Sequence, residues 1–136
     1  MIGFLRLLFL IVLGSMLWVT SWASLRCPLF AVPRDVFLHP WFIATMFDAY
    51  WGFITFYVWV CYKETAWGAR LAWFIAILLL GNLAMASYCL AELSLTPRTG
   101  SLADILTLRR ERVGVLGPTL AMIGLVVIFL ALRAAP

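Results

Sequence analysis

Asp48 is the side chain here best placed to do chemistry: a carboxylate inside an apolar, aromatic-rich run from His39 to Tyr62. Such a run is long enough to cross a bilayer. A carboxylate at its centre costs about 2.5–3.5 kcal/mol on insertion scales, so it demands a partner or a purpose. At helical steps of three and four, Trp41, Thr45, Asp48, Trp51 with Gly52, Thr55, Trp59 and Tyr62 fall along one stripe. That stripe holds almost every polar side chain of the run, so it should face protein or water. Phe42, Phe53, Phe56 and Tyr57 point elsewhere, toward lipid or neighbouring helices.

The elements that must position Asp48 follow from composition. Of 136 residues, 65% are hydrophobic and 12% charged, about half the charge of a soluble domain. Four stretches reach the length a hydrocarbon core demands. They lie near 3–24, 38–61, 68–91 and 113–133. They lack strict alternation, and backbone groups in lipid must be satisfied internally, so they read as helices. The expected architecture is an all-α membrane protein, one domain over 1–136, built as a four-transmembrane-helix bundle.

In an up-and-down bundle, Ser15 of the first helix and Asn82 of the third fall within about one turn of Asp48 in depth. Gly14 and Gly81 beside them would allow close backbone approach. The sequence therefore proposes a buried polar cluster of Ser15, Thr45, Asp48 and Asn82. Two uses compete for it: a site for a proton, a cation or a small hydrophobic ligand, or interhelical hydrogen bonds that fix packing. Small residues elsewhere point to packing seams, Gly117 with Ala121 in the fourth helix and Ala72 with Ala76 in the third. Pro118 falls early in the fourth helix, where a kink is tolerable.

The first helix also fits a signal-peptide pattern, with Arg6, an apolar core and Ser21-Trp22-Ala23. Trp18 and Trp22 at its far end favour a retained, interface-anchored span. Between spans three and four, Ser101 with Asp104 resembles a capping box opening a short amphipathic interfacial helix within 101–112. Leu102, Ile105 and Leu106 share one face, with Arg109, Arg110 and Arg112 at its carboxyl end. That segment reads either as a lipid-docking helix or as a connector packed on its own bundle. With four crossings, the connections 25–37 and 92–112 share a side, and their arginines put both termini outside.

Other chemistry finds no support. Cys27, Cys61 and Cys89 have no metal-ligand spacing. Cys27 and Cys89 would share a side, so a bridge between them is one option and three separate thiols the other. His39-Pro40-Trp41 reads as the start of the second helix, with proline at a harmless first-turn position. No nucleophile elbow, phosphate loop, metal set or paired acid is visible, and the reading is non-enzymatic, with no cofactor identified. The net charge of +4 fits basic residues flanking spans and contacting lipid headgroups, not nucleic acid.

The segment His39-Pro-Trp-Phe-Ile-Ala-Thr-Met-Phe-Asp-Ala-Tyr50, then Val58-Trp-Val-Cys-Tyr-Lys-Glu-Thr-Ala-Trp67, resembles the plant and bacterial integral membrane proteins grouped as domain of unknown function 1475. The acidic-then-basic stretch from Leu102 through Asp104 to Arg109 and Arg110 is similar as well. The resemblance implies a membrane fold without an established activity. Plant members repeat a three-span unit, and the fourth span here resembles the opening of a second copy. Two expectations remain. One is an accessory or assembly subunit whose Trp41, Trp51 and Trp59 faces meet lipids, hydrophobic cofactors, other subunits or a second copy. The other is a small oligomeric transporter or channel unit using Asp48.

Overall fold

The structure, a computed structural model, describes residues 1–96, 101–109 and 114–134. The described residues are mostly helical and contain no strand. The order is α1 (Ile2–Arg26), a short 3-10 turn (Leu29–Ala31), α2 (Arg34–Phe37), α3 (Pro40–Lys63), α4 (Trp67–Leu80), α5 (Asn82–Leu95), α6 (Leu102–Thr107) and α7 (Leu116–Arg133). Helices α1, α3 and α7 are long and apolar enough to cross a membrane. Pro40 opens α3 at a first-turn position, as expected from its missing amide.

The expected third span is not one helix. Its apolar run is cut at Gly81, which adopts φ 53° and ψ −124°, a region open to glycine and closed to residues with a Cβ. On an unbroken helix Trp73 and Tyr88 would lie about 22 Å apart. Instead their ring centroids are 4.8 Å apart, and Glu92 of α5 reaches Lys63 at the end of α3 at 2.6 Å. The chain therefore folds back on itself, and α4 and α5 form a helical hairpin. Each arm has 14 residues, or about 21 Å, short of the roughly 30 Å of a hydrocarbon core. The four-span arrangement gives way to three membrane-length helices around a short hairpin.

Packing on the hairpin sets the direction of everything else. The Arg6 guanidinium donates to the Leu93 carbonyl at 2.8 Å, so α1 runs antiparallel to α5. Gly117 lies against Trp73, and Gly124 against Leu79 and Leu80, so α7 runs parallel to α4. A Cβ on Gly117 or Gly124 would come within 2.9 Å of these side chains. Ala121 between them is buried, and the seam expected at Gly117 and Ala121 is formed. Across it, Ala76 is buried and Ala72 half-buried. The core is aromatic: Tyr88 is fully buried, edge-on to Trp73, Trp59 and Phe56.

Because α5 returns, its carboxyl end lies with Arg6 and Lys63, not with the 25–37 connection as an unbroken third span requires. Cys27 and Cys89 are correspondingly separated, and both are free thiols. Cys27 closes the opposite end of α1, about 30 Å along the axis from Arg6, while Cys89 sits one turn before Leu93.

The reversal depends on a position with no side chain. A Cβ at Gly81 would stand 2.6 Å from Cζ of Phe53 on α3, in addition to the backbone strain. Gly81→Ala should therefore destabilise the protein by about 1–3 kcal/mol, read by detergent-titrated unfolding in mixed micelles. An unchanged unfolding midpoint would contradict the hairpin.

Candidate functional site

The structure gathers charge where the sequence did not direct attention, at the end of the bundle where α3 stops, α4 starts and α5 finishes. Lys63 is the last residue of α3 and is 1% exposed, Glu64 2% and Glu92 4%. The Lys63 ammonium pairs with Oε2 of Glu92 at 2.6 Å and donates to the Ile105 carbonyl of α6. The Glu64 carboxylate accepts the Tyr88 hydroxyl at 3.3 Å, and its backbone carbonyl accepts Nε of Arg70 at 2.7 Å. Tyr57 donates to the Arg70 carbonyl at 3.1 Å, fixing the first turn of α4 on α3.

Together these bonds tie three elements to the end of α3. Glu92 holds the carboxyl end of α5, Arg70 the start of α4, and Ile105 the connecting helix α6. Two more donors complete the hold on α6 and the residues after it. Trp59 Nε1 donates to the Leu106 carbonyl at 3.1 Å. Arg109 Nε donates to the Tyr62 carbonyl at 3.0 Å, with its guanidinium over the Tyr62 ring. The Ser101–Asp104 capping box is formed, and Ile105 is buried. The segment is thus a connector packed on its own bundle, shorter than expected, with Arg109 beyond the helix end. Arg110 and Arg112 lie outside the described residues.

The mid-helix polar set is arranged differently from the expectation. Ser15, Thr45, Asp48 and Asn82 are all exposed, so they do not form a buried cluster. The Ser15 hydroxyl turns back to the Val12 carbonyl and that of Thr45 to the Trp41 carbonyl. Helix α1 packs chiefly on α5 rather than on α3, which removes the contact that would have brought Ser15 to Asp48. Asn82 starts α5 at the hairpin tip. Asp48 makes no hydrogen bond or ion pair among the described residues. Trp41 and Trp51 are 78% and 62% exposed, whereas Trp59 is half-buried under α6.

Sequence reasoning missed Lys63, Glu64, Tyr88 and Glu92 because a single third span would have put Lys63 and Glu92 on opposite sides of the bundle. The available signal was Gly81-Asn82 in the middle of that apolar run, a pair that breaks helices readily. Chemically, the charged group is a lock. A buried ammonium on α3 with a carboxylate of α5 on one side and a carbonyl of α6 on the other commits its donors to two further elements at once. Removing one partner leaves an uncompensated buried charge, whereas removing both does not. Lys63→Met should cost about 3 kcal/mol or more, and Lys63→Met with Glu92→Met should recover much of it in the same unfolding assay. Additive losses would argue against a coupled pair.

No curated protein and no solved structure matches this chain. A family model does, over residues 1–135, under the description "Protein of unknown function (DUF1475)". The match takes in the Asp48 helix, the hairpin and the Lys63–Glu92 lock together, and the chain belongs to that family.

Proposed function

We propose that this chain is a multi-pass, non-enzymatic membrane subunit that works by docking the Asp48 face of α3 against another transmembrane helix. Its three long apolar helices serve as spans, and the α4–α5 hairpin is re-entrant. The observation that carries the docking reading is Asp48 itself. Helix α3 has 24 residues, or about 36 Å, which puts Asp48 about 9 Å inside a centred hydrocarbon core. Exposed there, the carboxylate would face lipid at a cost of about 2.5–3.5 kcal/mol. A helix laid over it converts that cost into an interhelical hydrogen bond, worth about 0.6 kcal/mol on average and up to about 1.7.

The charge distribution supplies a direction of insertion. Arg6, Lys63, Arg70 and Arg109 gather at the lock end. Among the described residues, Arg26, Arg34 and Arg133 belong to the other end. By the positive-inside rule the lock end is cytoplasmic. Reporter fusions should then place Met1 inside and the residues after Arg133 outside, and a common side for both would contradict three crossings.

One observation favours a second reading, a transporter or channel unit: the hairpin tip leaves Asn82 exposed at mid-depth, and interrupted helices line transport paths in other folds. The two readings separate at Asp48→Asn, which keeps hydrogen bonding and removes the titratable charge. Docking predicts that this variant co-purifies with its partners in mild detergent as wild type does, whereas Asp48→Leu loses them. Transport predicts that Asp48→Asn abolishes cation or proton flux in liposomes. Retention of partners by Asp48→Leu would contradict docking.

A further inference from the structure

We propose that the lock end carries a binding site for an anionic phospholipid, in which Arg109 takes the lipid phosphate and Leu106 and Leu108 meet its acyl chain. The site rests on the reading of α3 as a span and not on the docking of Asp48.

The arginines of this end are held by main chain and not by acids. Arg6 donates to the Leu93 carbonyl, Arg70 to that of Glu64 and Arg109 to that of Tyr62. The pair of Lys63 with Glu92 is the only salt bridge among the described residues. A carbonyl orients a guanidinium without cancelling its charge, whereas a carboxylate would cancel it. Arginine is always charged, so three positive charges stand here without an anion among the described residues.

Arg109 is the exposed one of the three, while Arg6 and Arg70 are half-buried. Its Nε–H is used on Tyr62, and its guanidinium carbon lies 5.3 Å from the centroid of the Tyr62 ring. Those contacts fix the group in place. Its Nη pair makes no hydrogen bond among the described residues, and two parallel N–H groups of that kind bind a phosphate in fork geometry.

Depth matches the ligand. Tyr62 lies about 16 Å along α3 from the helix middle, against roughly 15 Å for half a hydrocarbon core. Lipid phosphates sit just outside that boundary. Trp59, whose indole donates to the Leu106 carbonyl, belongs to the turn below. The chain from Leu106 to Arg109 therefore climbs α3 from acyl depth to phosphate depth, in the order of a phospholipid's own parts. Leu106 and Leu108 are exposed, which is unfavourable in water and suits an acyl chain. Tyr62 and Trp67, also exposed at this end, are aromatics of the kind enriched at membrane boundaries. The positive-inside rule assigns this end to the leaflet that holds the anionic lipids.

The test titrates the full chain in mild detergent with phosphatidylglycerol or phosphatidylcholine and reads the dissociation constant of the first bound lipid by native mass spectrometry. Wild type should bind phosphatidylglycerol more tightly. Arg109→Gln, whose amide can still donate to the Tyr62 carbonyl, should weaken that binding about five-fold and leave phosphatidylcholine unchanged. Arg109→Lys should keep most of the preference, and Arg133→Gln, at the opposite end, all of it. Equal affinity for the two lipids in wild type, or equal losses in Arg109→Gln and Arg133→Gln, would overturn the site and leave the spans standing. A loss in Arg109→Lys as deep as in Arg109→Gln would assign Arg109 to packing and overturn it too. Competition by inorganic phosphate at matched ionic strength would mean a free anion instead of a lipid. Reporter fusions that put both ends of α3 on one side would overturn the span and the site together.

Discussion

The reversal at Gly81 is the constraint from which the other contacts follow. Without a Cβ the residue takes a backbone conformation other residues avoid, and Phe53 packs directly onto it. The two arms it creates are short, and neither has the length to span a bilayer. Their shortness matters because it returns Glu92 to the end of α3, where Lys63 is waiting. Directions then propagate outward: α1 lies antiparallel along α5, α7 parallel along α4. Burial concentrates in the hairpin and its immediate neighbours, while α1 contributes no buried residue.

The lock and the hairpin support each other. A buried ammonium is tolerable only where its donors are used, and Lys63 uses them on Glu92 and on the Ile105 carbonyl. Those two acceptors belong to segments far apart in sequence, so the pair specifies how α5 and α6 dock as well as whether they do. Tyr88 links the polar and apolar layers, with its ring in the aromatic core and its hydroxyl on Glu64. One end of the molecule is thereby closed and polar inside. The other half of α3, carrying Asp48, is left without a covering helix, and the docking proposal grows from that asymmetry.

Much of this was legible in the residues. Apolar length marked α1, α3 and α7, small residues marked the α7 seam, and Ser101 with Asp104 marked α6. The helix-two motif and the Arg109 region pointed to the family that the chain belongs to. The third span was misread because hydropathy records only apolar content, which a hairpin and a single crossing share. Only the local signal of Gly81 followed by Asn82 distinguishes them. Once that span was counted as a crossing, Cys89 and Arg109 were assigned to the wrong side, and Ser15 was set beside α3 although α1 packs on α5. The exposure of Asp48 was not legible either, since a polar stripe states that a face must be covered without stating by what.

The most direct measurement of the central claim, that the chain turns back at Gly81, is the sidedness of Leu95. Single cysteines at Gly3, Leu29 and Leu95 in a cysteine-free chain would be challenged in sealed vesicles with a membrane-impermeant maleimide. The hairpin predicts that Leu95→Cys reacts from the same side as Gly3→Cys and from the side opposite Leu29→Cys. Labelling of Leu95→Cys together with Leu29→Cys would mean that residues 67–95 cross the membrane once, and the account built on the hairpin would be wrong.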